Sequence, residues 1–189
     1  MNLLISDIHS NIYAFEKVLD FTQNKGIEKV YCLGDVIGYG DYPNECVELL
    51  ISLNPVCVKG NHEVFFFSNF ESSRYNTFRT RELLTEKNAV FLRNLDEYAE
   101  DKTHNAVFSH TFPVGTTNYV YPNSDFSFFE ESDYKYFFVG HTHRPSYFTY
   151  FDKKIINPGS VGQPRDGDSR PSIVLFDLEC DYFEFVRVS

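Results

Sequence analysis

Short apolar runs that stop abruptly at carboxylate, amide or imidazole side chains recur along this chain, and they limit the folds open to it. Leu3-Leu4-Ile5 stops at Ser6-Asp7-Ile8-His9, and Lys29 to Leu33 stops at Gly34-Asp35. Pro55 to Val58 gives way to Lys59-Gly60-Asn61-His62, Asn105 to Phe108 to Ser109-His110, and Tyr136 to Val139 to Gly140-His141-Thr142-His143. Runs of this length, bounded by turn residues, read as buried strands. Five of the six histidines sit at these stops. Separate strands that each end in ligand-type residues can converge on one site.

The segments between the strands set the fold class. Asn11 is a candidate N-cap for a helix carrying Ile12, Phe15, Val18, Leu19 and Phe21, ended by Gly26. Pro43 and Asn44 open a second helix with Val47, Leu49, Leu50 and Ile51. Strand–helix alternation over the first sixty residues is an α/β signature with parallel pairing. Arg81 to Leu95 predicts one or two amphipathic helices. Thr111 to Asp125, rich in Pro, Asn, Thr and Tyr, predicts a long loop of the kind that often carries function. The last third predicts short strands at Tyr136 to Val139, Ser146 to Phe151, Lys154 to Ile156, Ser172 to Phe176 and Tyr182 to Val188. Asp152-Lys153 and Glu179-Cys180-Asp181 are expected hairpin turns, so that the chain ends as a β-meander. Two sheets face to face with helices outside accommodate both halves, and residues 1–189 are expected to form a single domain.

Composition narrows the function. At 189 residues and 42% hydrophobic, the chain can bury one sizeable core. With 20 Phe, 13 Tyr and no Trp, that core is ring-rich. A net charge of −10 argues against general nucleic-acid binding and against anionic membranes, both of which need basic patches. Small phosphate substrates stay open, because bound cations reverse the sign locally. Cys32, Cys46, Cys57 and Cys180 are widely spaced and read as reduced, structural residues, three of them as buried apolar ones. No basic leader and no run near the ~18 apolar residues of a membrane span is present, so a cytoplasmic protein is expected.

Asp7 and His9 are two apart at a strand end, and in extended chain such residues face the same side. His141 and His143 repeat the spacing with two imidazoles. Mixed imidazole and carboxylate donors suit Mn, Fe, Zn or Ni better than Mg or Ca. Asp35 follows a glycine and carries two oxygens able to bridge two cations, and Asn61 offers an amide oxygen. Asp7, His9, Asp35, Asn61, His110, His141 and His143 are too many for one ion and a good number for two divalent metal ions. Two metals roughly 3.5–4 Å apart form a clamp for in-line displacement at phosphorus. His62, beside a candidate ligand, is left to act as general acid or as donor to the leaving oxygen.

Taken in order, Asp7-Ile8-His9, Gly34-Asp35-Val36-Ile37-Gly38, Gly60-Asn61-His62-Glu63, Ser109-His110 and Gly140-His141-Thr142-His143 resemble the motifs of the calcineurin-like metallophosphoesterase superfamily over nearly the whole chain. Gly38-Tyr39-Gly40 with Pro43-Asn44-Glu45, and the run from Asn157 to Asp166, resemble its small, single-domain prokaryotic phosphodiesterase branch. The resemblance implies a four-layer α/β/β/α sandwich of two mixed sheets flanked by helices. It further implies one metal on Asp7, His9 and His143, a second on Asn61, His110 and His141, Asp35 between them, and His62 as the catalytic histidine. The implied reaction is metal-dependent hydrolysis of a small phosphodiester by a bridging hydroxide, with Mn the expected ion. Phosphomonoester hydrolysis, of the protein phosphatase or dinucleoside polyphosphate hydrolase type, is the alternative. A non-catalytic scaffold is a further one, since the superfamily includes a retromer subunit of that kind.

Two positions depart from the resembled pattern. Glu63 stands where Asp is commonest, which would alter the reach of a hydrogen bond orienting His62. Thr111 stands where Gly often follows Ser-His, which would narrow the approach to the second metal. Phe65 to Phe67 and Phe70 read as core; if exposed, they mark a homodimer face or a base-stacking wall. His104, outside the motifs, reads as structural or solvated. Arg165 is open between a substrate phosphate and pairing with Asp166 or Asp168.

Overall fold

A computed structural model describes residues 1–68, 72 and 75–189; Phe70 lies outside the described residues. Strands β1 (Asn2–Ile5), β2 (Lys29–Cys32) and β3 (Val56–Cys57) alternate with helices α1 (Ile12–Thr22) and α2 (Pro43–Ser52). Next come helices α3 (Asn61–Phe67), α4 (Thr77–Leu83) and α5 (Glu86–Arg93). Strands β4 (Tyr98–Asp101) and β5 (Ala106–Ser109), the short helix α6 (Ser127–Glu130) and strands β6 (Tyr136–Phe138), β7 (Pro145–Tyr150), β8 (Lys153–Pro158), β9 (Ser172–Asp177) and β10 (Tyr182–Arg187) complete the order. The helix starts follow from local chemistry: the Asn11 side chain accepts from the Ala14 N–H at 3.2 Å, and Pro43 opens α2.

Two mixed five-stranded sheets result, in the orders β10-β9-β1-β2-β3 and β4-β5-β6-β8-β7. The first pairs β1, β2 and β3 in parallel and sets β9 antiparallel to β1. The second pairs β5, β6 and β8 in parallel, with β4 and β7 antiparallel at the edges. The strand alternation dictates the layers. Leu3 and Ile5 face the helices α1 and α2, while Leu4 between them faces the other sheet. Likewise Phe108, Tyr136, Phe138 and Ile156 meet Tyr31, Val174 and Phe176 between the sheets, and Val107, Phe137 and Ile155 face outward. That outward face is covered by the loop carrying Phe112 and Val120 and by Phe129 of α6. The α/β/β/α sandwich is therefore present with a thin fourth layer.

Three expectations need correction. The C-terminal strands do not form one meander: the hairpin β7–β8 belongs to the second sheet, whereas β9–β10 crosses to the first. Strand β4 was not anticipated. Cys180 is exposed at the turn after β9, while Cys32 and Cys46 are buried. Among the described residues no helix is long and apolar enough to cross a membrane.

Candidate metal centre

The parallel strands bring their C-terminal ends together, and each runs into a tight loop. Asp7, His9, Asp35, His141 and His143 all have positive φ, between 51° and 68°. Non-glycine residues in this region cost on the order of 1–3 kcal/mol each and gather at functional sites. Backbone bonds hold these loops: Asp7 N–H donates to the Gly34 carbonyl at 3.0 Å, and His9 N–H to the Asp35 carbonyl at 3.0 Å.

The seven candidate ligands form two groups. In the first, His143 Nε2 lies 3.2 Å and His9 Nε2 3.6 Å from Asp7 Oδ1, and the two nitrogens lie 3.1 Å apart. In the second, His110 Nε2 lies 3.2 Å from Asp35 Oδ2, 3.0 Å from Asn61 Oδ1 and 3.2 Å from His141 Nδ1. Asp35 stands between the groups: its Oδ1 accepts the His62 backbone N–H at 2.8 Å, while its Oδ2 also lies 3.8 Å from His9 Nε2. Asp7, His9, Asp35, His110, His141 and His143 are all buried. Sequence reasoning thus named a set that the fold brings together in full.

The hydrogen bonds around the imidazoles set their tautomers. His9 Nδ1 faces the Ile37 carbonyl at 3.2 Å, His110 Nδ1 the Leu33 carbonyl at 2.8 Å, and His143 Nδ1 the Gln163 carbonyl at 2.6 Å. A carbonyl only accepts, so each Nδ1 carries a proton and each ring turns its Nε2 inward. Two lone pairs 3.1 Å apart on His9 and His143 repel unless a cation or a proton lies between them. Asp7 Oδ1 is buried without a hydrogen-bond partner, an acceptor awaiting a positive charge. This donor set fits divalent metal ions, with the carbonyls orienting the ligands.

The electrostatics agree. Burial raises the Asp7 carboxyl, yet His143, His9 and His110 outweigh it and hold it well below the usual carboxylate range. Asp35 is likewise raised by burial but held down overall by His110, His62 and His9. Burial lowers His110, but Asp35, Asp7 and the Leu33 carbonyl push it up to about 10. Burial brings both His62 and His141 down to about 4. Without a cation, the carboxylates recruit a proton onto His110.

His62 sits beside these groups on the first turn of α3, with its Nε2 4.0 Å from Asp35 Oδ2. It lines a cavity of about 290 Å³ with Tyr39, Phe65, Tyr75, Tyr119 and Arg165. Gly38, at φ +92°, passes so close that a Cβ there would overlap His62 Nδ1. Gly60 approaches Asp35 in the same way.

Glu63 does not orient His62 through a hydrogen bond. Its buried carboxylate accepts the backbone N–H groups of Asp35, Val36 and Gly60 at 2.9 Å and of Ile37 at 3.2 Å. It ties the loop after β2 to the start of α3 and so positions Asp35. Burial and the Asp35 charge push it up to about 7, against the pull of these donors. Thr111 pins its own loop, donating to the Thr116 carbonyl at 2.8 Å. The run from Asn157 supports the site from behind: Asn157 Nδ2 donates to the Gly140 carbonyl at 2.7 Å, and Ser160 Oγ to the Asp7 carbonyl at 2.7 Å.

Arg165 turns to the cavity. Asp166 pairs with Arg187, and Asp168 with Arg170. Arg165 Nη2 instead meets Tyr39 Oη at 3.0 Å and Gln163 Oε1 at 2.7 Å. The aromatic run divides: Phe66 and Phe67 pack against the helical core, while Phe65 lines the cavity. The described part of the run is therefore not one exposed face for a dimer. Tyr75, Thr117 and Tyr119 were missed as site residues; the loop composition around Thr117 and Tyr119 was their one sequence signal.

Residues 1–181 match the family model of the calcineurin-like phosphoesterase superfamily domain. The chain belongs to this superfamily. It is 37% identical to the uncharacterized protein MJ0912 of Methanocaldococcus jannaschii, over all of this phosphoesterase chain and 87% of the relative. Among solved structures, a metallophosphoesterase from Sphaerobacter thermophilus matches with a TM-score of 0.87 and 30% identity, over 99% of this chain and 87% of the other. The hypothetical protein PH1004 from Pyrococcus horikoshii OT3 shares the fold, with a TM-score of 0.81 at 21% identity over 100% of this chain and 87% of that one.

Proposed function

We propose that this chain is a single-domain phosphodiesterase with a dinuclear centre. Asp7, His9 and His143 would hold one divalent ion and Asn61, His110 and His141 the other, with Asp35 shared. The observation that carries this reading is the pair of inward-facing Nε2 atoms of His9 and His143, 3.1 Å apart beside the unpartnered Asp7 Oδ1. Bound there, the ions would supply Lewis acidity toward the phosphoryl oxygens and would acidify a water. The protein's own residues do the rest. Asp35 aligns the two groups because its Oδ1 is fixed by the His62 N–H and its Oδ2 is left to both. His62, neutral because burial lowers it to about 4, retains one ring N–H to donate to the leaving oxygen. Arg165 adds a cation to the cavity lining of a chain whose net charge is −10.

The test combines elemental analysis of Mn-loaded protein with rates on aryl phosphodiesters and phosphomonoesters. Two equivalents of metal and faster diester turnover are expected. Faster monoester turnover would replace the diesterase reading with the monoesterase one. Full loading with no turnover on either class would leave a metal-binding scaffold.

A further inference from the structure

Two cavities meet at the candidate metal ligands. Beside the one that His62 lines, a second of about 140 Å³ opens next to Asn61 and His110, and Asn61, Phe65 and Thr117 line both. Tyr39, His62 and Arg165 belong to the larger cavity, whereas Lys59, Val64, Glu97 and Thr111 belong to the smaller one. The fold ties the walls of the smaller cavity together. The Lys59 N–H donates to the Asp96 carbonyl at 2.8 Å, which fastens the approach to α3 to the segment carrying Glu97. Thr111 Oγ donates to the Thr116 carbonyl at 2.8 Å and Thr116 Oγ to the Pro113 carbonyl at 2.7 Å, so the loop after β5 is closed on itself.

In-line displacement at phosphorus puts the attacking and leaving oxygens on one axis and the other three oxygens around it. With His62 donating to the leaving oxygen, the leaving alcohol belongs in the larger cavity. In a diester one of the three remaining oxygens carries a second alcohol, which projects sideways from that axis; a monoester has no such group. At about 140 Å³ the smaller cavity is well below the roughly 300–1,000 Å³ of a whole small-molecule site. It suits one short arm of an ester and not a complete substrate. We infer that the smaller cavity receives the retained alcohol of a phosphodiester and selects substrates in which that alcohol is short. The inference rests on the phosphodiesterase reading for the position of the phosphorus, and it makes Val64, Glu97 and the loop from Thr111 to Thr117 the wall that sets specificity.

The test uses the Mn-loaded chain and three esters with one leaving group: p-nitrophenyl phosphate, ethyl p-nitrophenyl phosphate and thymidine 5′-(p-nitrophenyl phosphate). In each, water replaces p-nitrophenolate at phosphorus and any other alcohol stays attached. The ethyl diester should turn over faster than the thymidine diester. Val64 is 46% exposed on α3, so its enlargement leaves the core intact. Val64→Trp and, from a separate segment, Glu97→Trp should lower kcat/KM for the ethyl diester by about tenfold or more, with the rate on p-nitrophenyl phosphate held. Calorimetry reads the same arm without turnover: ethyl phosphate should bind more tightly than inorganic phosphate, and the tryptophan variants should remove the difference. A selective loss in either variant is the expected sign. Faster turnover of the thymidine diester, equal or absent binding of the two phosphates, or losses absent or parallel on all esters in both variants would overturn the inference. Turnover of the ethyl diester without a binding preference sinks the arm cavity alone, and a preference without turnover sinks the enzyme and leaves the arm cavity.

Discussion

His62 shares its backbone N–H with Asp35 and its ring with the cavity, so its two halves serve different tasks. Replacing the ring while keeping the backbone should separate them. His62→Ala is expected to lower kcat by about 10²–10³-fold, the usual worth of one positioned hydrogen-bond donor to a developing oxyanion, with metal content near that of the unaltered protein. Its ring nitrogen also falls within a possible donor group with His9 and Asp35; loss of metal in parallel with activity would make it a ligand. Asp35→Ala should lower occupancy at both positions, and one fully retained equivalent with normal activity would count against a shared carboxylate. The candidate ligands were legible in the sequence because each lies within four residues of the end of an apolar run. Arg165 was not, because its choice between Asp166, Asp168 and the cleft depends on Arg187 and Arg170 arriving from elsewhere in the chain.

Elements carry these side chains, and α3 shows how one carboxylate can fix an element to a loop. Glu63 sits on the first turn of α3 and reaches back to the Gly60 N–H, as in half of a capping box, while also closing the loop from Asp35 to Ile37. Glu63→Gln keeps the size but puts an NH₂ where an oxygen accepts from N–H groups. The expected cost is about 1–3 kcal/mol of stability, the penalty for buried donors left unsatisfied, read by urea unfolding of the metal-free protein. A loss near zero would mean that the loop holds itself. The sequence marked Glu63 as unusual but placed its effect on His62, because the four N–H groups it serves belong to a loop 26 to 28 residues earlier and to Gly60. Strand β4 escaped for a related reason. Tyr98-Ala99-Glu100-Asp101 is polar on an edge, and only its ladder to β5 defines it.

At the scale of the whole molecule, strand existence was readable but sheet membership was not. Hairpins β7–β8 and β9–β10 have the same kind of local sequence, yet β8 joins the neighbouring strand β6 whereas β9 joins β1, at the far end of the chain. Contacts across the two sheets then close the structure at the end remote from the candidate metal ligands. His104, in the turn before β5, is one of them: Nδ1 lies 2.7 Å from Asp101 Oδ2 at the end of β4, and Nε2 3.0 Å from Glu179 Oε1 in the turn after β9. The hydrogen bond to Asp101 raises the imidazole above its ordinary value, against burial, and Glu179 raises it further. A histidine raised in the folded state contributes stability that is full below its unfolded pKa, about 6.5, and is lost as pH rises through the higher folded value. His104→Gln should therefore melt below the unaltered protein at pH 5.5, with the two Tm values converging by pH 9. A gap that stays constant across that range would show that the ring matters for packing and that its charge does not join the sheets.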